Sequence, residues 1–121
     1  METAAIIRHF YGSLPGKTDA WQRDLADTVV FDDASKRLAV QGRDAFIQSF
    51  TSFLRAVEHV QLQQLIVDGD DAAAVVHYDY ISPTGGRLHQ ADAEIWKIAD
   101  GKIAALTIYF DITEFRAFMA R

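Results

Sequence analysis

The second half of the chain constrains the fold most, because four segments with strand-like alternation follow one another with only short turns between them. The segments read HVQLQQLIVD, AAAVVHYDYIS, RLHQADAEIWKI and KIAALTIYFD. The turns are Asp68-Gly69-Asp70, Pro83-Thr84-Gly85-Gly86 and Asp100-Gly101, and the last of these is a strong hairpin signal. Connections this short can join only antiparallel neighbours, so the residues from His59 to Asp111 are predicted to form a four-stranded antiparallel meander.

The first half of the chain is predicted to supply helices and one strand. Apolar residues at three- and four-residue spacings predict a helix over Thr3–Ser13, which Pro15-Gly16 would end. A short second helix is expected after Thr18 or Asp19, stopping near Asp27. The next segment, TVVFDD, is rich in β-branched and aromatic residues and predicts a strand that starts at its first residue, Thr28.

The longest predicted helix follows the loop ASKRLAVQG and has one broad apolar stripe, formed by Phe46, Phe50, Phe53 and Val57. A stripe this wide needs a broad partner such as a twisted sheet. A short amphipathic helix, from Ile112 to Ala120, is expected to close the chain. The order of elements therefore predicts an α+β fold, with helices gathered on one face of a curved antiparallel sheet and a pocket between the two layers.

Composition narrows the classes of function. The chain has 121 residues, half of them hydrophobic, which indicates one folded domain over residues 1–121. Its formal net charge of −5, without a basic cluster, argues against nucleic acid as a partner. There is no cysteine, which excludes disulfides and zinc–thiolate sites and suits a cytoplasmic protein. No segment has the length of a membrane span and the start lacks a signal-peptide pattern, so no membrane association is expected.

The chain resembles the nuclear transport factor 2-like superfamily over nearly its whole length. The resemblance rests on five segments in this order: IIRHFYGSL, LADTVVFDD, GRDAFIQSF, EIWKIADGKI and IYFD. The resemblance is greatest to its SnoaL-like and ketosteroid isomerase-like members. It implies a single SnoaL-like domain, in which a cone-shaped half-barrel wraps on the N-terminal helices around an apolar pocket. The superfamily includes isomerases, cyclases, epoxide hydrolases, dehydratases and non-catalytic binding modules, so the fold does not choose the function.

The resemblance carries candidate catalytic residues onto this chain. The base of the steroid isomerases would fall at Asp33, whereas their helix-one tyrosine falls at Phe10 and their protonated acid near Ala93, so their oxyanion hole is not reproduced. The Arg-x-Asp pair of the limonene epoxide hydrolases falls at the segment from His77 to Asp79, and their final acid falls at Asp111. The arginine, tyrosine and asparagine of that family have no counterpart here.

Polyketide cyclases of the SnoaL-like type give a third comparison, since they use an aspartate with a nearby histidine. In this chain Asp111 could be that aspartate, and His77 or His89 could be that histidine. If Asp33, Asp79 and Asp111 converge on one cavity, repulsion between like charges raises at least one pKa, and His77 is their charge partner. The expected function is then acid/base chemistry of isomerase, cyclase or hydrolase type, without a cofactor, on a small hydrophobic molecule. The alternative is a non-catalytic binding or scaffolding module with the same pocket.

Each candidate also has a purely structural interpretation. Asp111 directly precedes the closing helix and is suited to cap it. Asp33 is suited to end a strand and begin a turn. His77 and Asp79 could lie on the solvated face of the sheet, which would turn two tyrosines of the same strand inward, Tyr78 and Tyr80. A run of polar residues on the next strand is interpreted as an exposed flank: His89, Gln90, Asp92 and Glu94.

Four aromatic residues are candidates for contact with a ligand in the pocket: Phe10, Phe31, Trp96 and Tyr109. No metal site is expected, because only one candidate histidine stands near the acids and no second one has ligand spacing.

The outer face of the sheet is predicted to be small and apolar. It would join two groups of residues on the last two strands: Ala91, Ala93 and Ile95 beside Ala104, Leu106 and Ile108. Because monomers seldom leave such a surface bare, a homodimer through the sheet is expected.

Overall fold

The computed structural model describes residues 2–14 and 18–120. Within these residues the helices are α1 (Thr3–Gly12), α2 (Arg43–Leu54) and α3 (Ile112–Met119). The strands are β1 (Leu25–Asp33), β2 (Ala39–Gln41), β3 (Val57–Asp68), β4 (Asp71–Ile81), β5 (Arg87–Ala99) and β6 (Lys102–Tyr109). The strands form one curved, unclosed sheet, which confirms the predicted α+β class. None of the described helices is long and apolar enough to cross a membrane.

Strands β3 to β6 form the predicted antiparallel meander, and each strand pairs with the next. Trp96 of β5, for example, lies opposite Ala72 on β4 and Leu106 on β6. At the last turn Asp100 and Gly101 both have positive φ, 52° and 73°, which a two-residue hairpin of this type requires. The strand order across the sheet is β2-β1-β6-β5-β4-β3, and β1 runs parallel to β6.

The predicted second helix is wrong. The chain makes a single turn of 3-10 helix at Ala20–Gln22, and β1 begins at Leu25 rather than at Thr28. Leu25 pairs with Ile103 on β6, so pairing with a segment far along the chain outweighs a weak local preference for helix.

Three other predicted boundaries also shift. The first helix ends at Gly12, and its predicted terminator, Pro15-Gly16, lies outside the described residues. The predicted loop ASKRLAVQG contains the short edge strand β2, which pairs antiparallel with β1. Val57 begins β3 and does not extend the stripe of α2, which ends at Leu54.

The core lies between the helices and the concave face of the sheet. Burial alternates along β4 and β5, as expected for strands that turn one face to a core. The inward residues of β4 are Ala72, Ala74, Val76, Tyr78 and Tyr80. The inward residues of β5 are Gln90, Asp92, Glu94, Trp96 and Ile98. One strand therefore brings three polar side chains into an otherwise apolar interior.

The outer face of the sheet differs from the predicted one. Leu106 and Ile108, predicted for this face, are 0% and 2% exposed and point into the core. Alternation along β6 turns its other residues outward, and the register places them beside three residues of β5: Thr107 and Tyr109 beside Ala91, Ala93 and Ile95.

Candidate functional site

Two carboxyl groups, those of Asp92 and Glu94, lie inside the core, and each residue is 1% exposed. They share a row with Trp96, because side chains two residues apart lie on the same face of a strand. Trp96 packs against Phe10 of α1, with ring centroids 4.8 Å apart. Because loss of water penalises the charged form, a buried carboxyl group must be hydrogen-bonded or hold its proton to a higher pH.

Glu94 is held by tyrosine hydroxyls. Tyr78 donates to one of its oxygens at 2.9 Å, and Tyr11 donates a short hydrogen bond to the other. The indole N–H of Trp96 in turn donates to the Tyr11 hydroxyl at 3.0 Å, which fixes the tyrosine. Burial raises the pKa of Glu94 to about 7, although both tyrosine hydroxyls act to lower it. Burial also raises the pKa of both tyrosines, so they remain hydrogen-bond donors.

Asp92 has no comparable support. In the part of the chain that the structure describes, neither of its oxygens makes a well-formed hydrogen bond, and the same is true of the nearby Tyr80 hydroxyl. Burial and the negative charge of Glu94 raise the pKa of Asp92 to about 8, and the Tyr80 hydroxyl is close enough to oppose that shift in part. Burial raises the pKa of Tyr80 well above its ordinary value.

The two acids titrate as a coupled pair. Because two hydroxyls donate to Glu94 and none is well placed on Asp92, Glu94 takes the negative charge first and Asp92 keeps its proton near neutral pH. The interior therefore contains a carboxyl group that exchanges its proton close to the pH range in which general acids and bases work.

A cavity of about 250 Å³ lies between α2 and α3, and neither Asp92 nor Glu94 lines it. Its walls are mostly apolar and include Phe53 of α2 and Phe115 of α3. The Phe53 ring lies 5.3 Å from that of Tyr78 between centroids, and the Phe115 ring lies 4.9 Å from that of Tyr80. The rings of Phe53 and Phe115 thus separate the cavity from the tyrosines that contact the buried acids. These two rings, of Phe53 and Phe115, form the aromatic wall of the cavity.

The predicted catalytic acid Asp33 is the last residue of β1, and its buried side chain accepts hydrogen bonds from the turn that follows. One of its oxygens accepts from the Leu38 backbone N–H at 2.7 Å and the other from the Ser35 backbone N–H at 2.9 Å and the Ser35 hydroxyl. Burial acts to raise the pKa of Asp33, but the hydrogen bonds from Ser35 and Leu38 outweigh it and the pKa lies below its ordinary value. This is the strand-end interpretation of Asp33.

His77 and Asp79 lie on the outer face of the sheet, because Tyr78 and Tyr80 take the inward positions of β4. There the His77 and His89 rings are 3.0 Å apart between nitrogens, and His89 approaches an Asp79 oxygen at 2.7 Å. The side chains of His77, Asp79 and His89 are therefore close together, but they lie on the opposite side of the sheet from Asp92 and Glu94. In the described part of the chain, no group of three or more acids or histidines is arranged to hold a metal ion.

Asp111 is exposed and caps α3, since its side chain accepts from the Glu114 backbone N–H at 2.8 Å. The expected convergence of Asp33, Asp79 and Asp111 on one cavity is therefore not what the structure shows. They lie at the end of β1, on the outer face and at a helix start, respectively. Whether any of them takes part in a reaction stays a prediction.

The four predicted ligand contacts also separate. Phe10, Phe31 and Trp96 are at most 1% exposed and pack within the core. Tyr109 is 52% exposed and points outward, because alternation gives the inward position to Ile108.

Sequence analysis missed the residues that form the interior polar cluster: Tyr11, Tyr78, Tyr80, Asp92 and Glu94. The run HQADAE is not an exposed flank, since its alternate residues are buried. A signal was present, because tryptophan is buried on average and strand alternation puts every second residue before Trp96 on the same face. An inward Trp96 therefore implies that Asp92 and Glu94 are inward too.

Comparison with solved structures shows the same architecture in other proteins. A nuclear transport factor 2-like protein of unknown function from Burkholderia pseudomallei K96243 matches with a TM-score of 0.84 at 13% identity, over 98% of each chain. TerC, co-crystallised with polyporic acid, matches with a TM-score of 0.81 at 14% identity, also over 98% of each chain. A hypothetical protein with a ketosteroid isomerase-like fold from Catenulispora acidiphila DSM 44928, in complex with trimethylamine, gives 0.79 at 15% identity, over 98% of this chain and 94% of the other.

These similarities define the class as a cone-shaped α+β protein of the nuclear transport factor 2-like fold. The model of the SnoaL-like domain matches residues 7–106, and the chain belongs to that family. Comparison with curated proteins gives no match.

Proposed function

We propose that this protein catalyses proton transfer on a small hydrophobic carbonyl compound, with Asp92 as the acid/base group and without a cofactor. One observation carries the proposal: Asp92 is a buried carboxyl group whose oxygens make no well-formed hydrogen bond within residues 2–14 and 18–120, although the Tyr80 hydroxyl lies close by. Native proteins leave few buried polar atoms unsatisfied, so such a group is typical of a site that completes its contacts with a ligand.

The roles follow from the environment of each group. Ionised Asp92 removes a proton from the carbon beside the carbonyl, and the Tyr80 hydroxyl donates a hydrogen bond to the enolate oxygen that develops. Return of the proton to another carbon gives an isomerase, and attack of the enolate on a second carbonyl gives a cyclase. Glu94 does not react, because both its oxygens are occupied by Tyr11 and Tyr78. Its negative charge keeps the pKa of Asp92 high and so makes Asp92 a stronger base.

A binding module without turnover is the second candidate. It is favoured by the packing of Phe10 and Phe31 in the core and by the aromatic wall between the cavity and Asp92. In this case a ligand occupies the cavity between α2 and α3 and never contacts the buried acids.

Deuterium exchange into the methyl group of acetophenone tests the proposal and separates the two candidates. Wild-type protein in deuterated water is expected to accelerate loss of the methyl proton signal, and Asp92→Asn should reduce the acceleration by roughly 100-fold or more. The rate should rise with pH through about 8, since the ionised form of Asp92 is the base. The matched control is Asp70→Asn, which removes an exposed carboxyl group in the turn between β3 and β4.

Two results would contradict the proposal. The first is acceleration that the Asp92→Asn variant retains in full. The second is acetophenone that enters the cavity, seen as a shift of the Met119 methyl signal, without any acceleration of exchange. The second result would favour the binding module, because Met119 lines the cavity.

We also propose that the protein is a homodimer that pairs through the outer face of the sheet. The support is the row of small residues along β5, with Ile95 37% and Tyr109 52% exposed beside it. Continuous apolar surface of this kind is typical of a face that a partner covers.

A further inference from the structure

Two arginines lie beside α3, Arg37 and Arg116, and Arg116 lines the cavity between α2 and α3. Arg116 of α3 lines the cavity, and its guanidinium donates to the Arg37 backbone carbonyl at 3.3 Å. The Arg37 guanidinium donates to the Thr113 hydroxyl at the start of α3. Both guanidinium groups are therefore held next to α3, which forms one side of the cavity.

Among the described residues, no ion pair neutralises either guanidinium. Within residues 2–14 and 18–120 no carboxylate oxygen lies within ion-pair distance, 4.0 Å, of Arg37 or Arg116. The polar partners that they have are a carbonyl and a hydroxyl, which leave their charges uncompensated. The chain as a whole carries a formal net charge of −5, so the positive charges of the two arginines are opposite in sign to the net charge of the protein.

Apart from Arg116, the cavity wall is mostly apolar. Leu38, Phe110, Phe115 and Met119 contribute to its walls. Its volume of about 250 Å³ is about eight times the roughly 30 Å³ that one water molecule takes up in the liquid, which is room for a small molecule. A ligand that satisfies both parts has an apolar body of this size and an anionic group at one end.

We propose that the ligand of this cavity is a small amphipathic carboxylate, with its apolar body between α2 and α3 and its carboxylate on Arg116 and Arg37. Guanidinium groups suit this partner because their N–H groups match the two oxygens of a carboxylate. The inference goes beyond the proposed function, because the cavity lies on the other side of the aromatic wall from Asp92 and its lining does not include that residue.

Calorimetric titration with octanoate and with octanamide tests the assignment, because the two probes share an apolar tail and differ in charge. Octanoate should bind wild-type protein roughly tenfold more tightly than octanamide, and the preference should shrink as salt is added. Arg116→Gln should reduce the preference to about twofold or less, and Arg37→Gln should reduce it in part. The matched control is Arg8→Gln, which removes an exposed arginine from α1, a helix that does not line the cavity.

A methyl signal places the probe. The chain has two methionines, Met1 and Met119, and Met119 lines the cavity. With carbon-13 methyl-labelled methionine, octanoate should shift the Met119 signal in the wild-type protein. Equal affinity for the two probes would overturn the proposal, and so would octanoate binding that leaves the Met119 signal in place. If Arg116→Gln does not fold, the wild-type comparison, its salt dependence and Arg37→Gln still decide the question.

The two proposals fail separately. Asp92→Asn should leave the preference for octanoate unchanged, because Asp92 lies behind the aromatic wall. If exchange into acetophenone does not depend on Asp92 while the preference and the Met119 shift persist, the proton-transfer function fails and the ligand class stands. If the preference is absent while exchange depends on Asp92, the reverse holds.

Discussion

Asp92 occupies a core position with an ionisable group, and this makes stability depend on pH. Burial raises the pKa of Asp92 to about 8 and that of Glu94 to about 7, whereas both lie near 4 in the unfolded chain. Both folded values are above the unfolded ones, so the stabilisation from these protons is fully present below about pH 4 and is lost as pH rises through 7 and 8. The free energy of unfolding in urea should fall by a few kcal/mol between about pH 5 and about pH 8.

The Asp92→Asn variant should show a clearly smaller decrease over the same range, because one of the two titrating groups is gone. Asp70→Asn, which removes an exposed carboxyl group, should keep the wild-type dependence. Asp33 does not contribute in this window, since its pKa is lowered and acts only on the acid side. A slope that Asp92→Asn leaves unchanged would show that Asp92 is not the buried titrating group.

For individual residues, the alternation in the sequence correctly predicts which side chains share a face of a strand. It does not predict which of the two faces is buried. On β4 the choice lay between the pair His77 and Asp79 and the pair Tyr78 and Tyr80, and the aromatic pair is the one buried. On β5 the buried row contains the acids, and Ala91, Ala93 and Ile95 face outward. Hydropathy predicts the opposite for β5. Glu94 is tolerated there because it accepts hydrogen bonds from Tyr11 of α1 and Tyr78 of β4, which lie 83 and 16 residues away in the sequence.

The N-terminus of α3 is capped by a single side chain, that of Asp111. Asp111 accepts from the Glu114 backbone N–H at 2.8 Å, and Asp111→Ala should lower the free energy of unfolding by about 1 kcal/mol. Asp111→Ser keeps a capping oxygen and should restore most of that loss. Urea unfolding of the three proteins checks this, and equal destabilisation by both substitutions would contradict it.

The serine variant also addresses the predicted catalytic role of Asp111. A serine caps a helix but cannot replace a carboxylate as an acid or base. If Asp111→Ser is stable and exchanges acetophenone protons at the wild-type rate, Asp111 acts only as a cap. A stable serine variant that loses exchange would instead support the catalytic prediction.

Elements with strong local signals were predictable from the sequence. The three short turns fixed the meander, and the apolar spacing of α1, α2 and α3 located the helices to within a few residues. The elements that were missed depend on distant partners. The start of β1 at Leu25 depends on Ile103, and the edge strand β2 depends on β1. Local propensity carries no information on such pairings.

For the whole molecule, the two surfaces of the sheet differ. The concave face is covered by helices, and the outward face has an apolar part that includes Ala93 and Ile95 and a polar part formed by His77, Asp79 and His89. The chemistry proposed here uses only the concave side, where the cavity lies between α2 and α3. The convex side contains Ala93, which lies opposite Val75 on β4 and Tyr109 on β6, near the middle of the exposed apolar surface. That position makes the homodimer proposal directly testable.

Ala93→Arg should convert a dimer to a monomer, because an arginine in the middle of an apolar interface loses water without gaining a partner. Sedimentation equilibrium at micromolar concentration should give twice the mass of one chain for the wild type and one chain mass for the variant. Ala5→Arg, an exposed substitution on α1 away from this face, is the matched control and should remain dimeric. A wild-type protein that sediments as one chain, or an Ala93→Arg variant that keeps the dimer mass, would show that the outer face of the sheet is not where two copies meet.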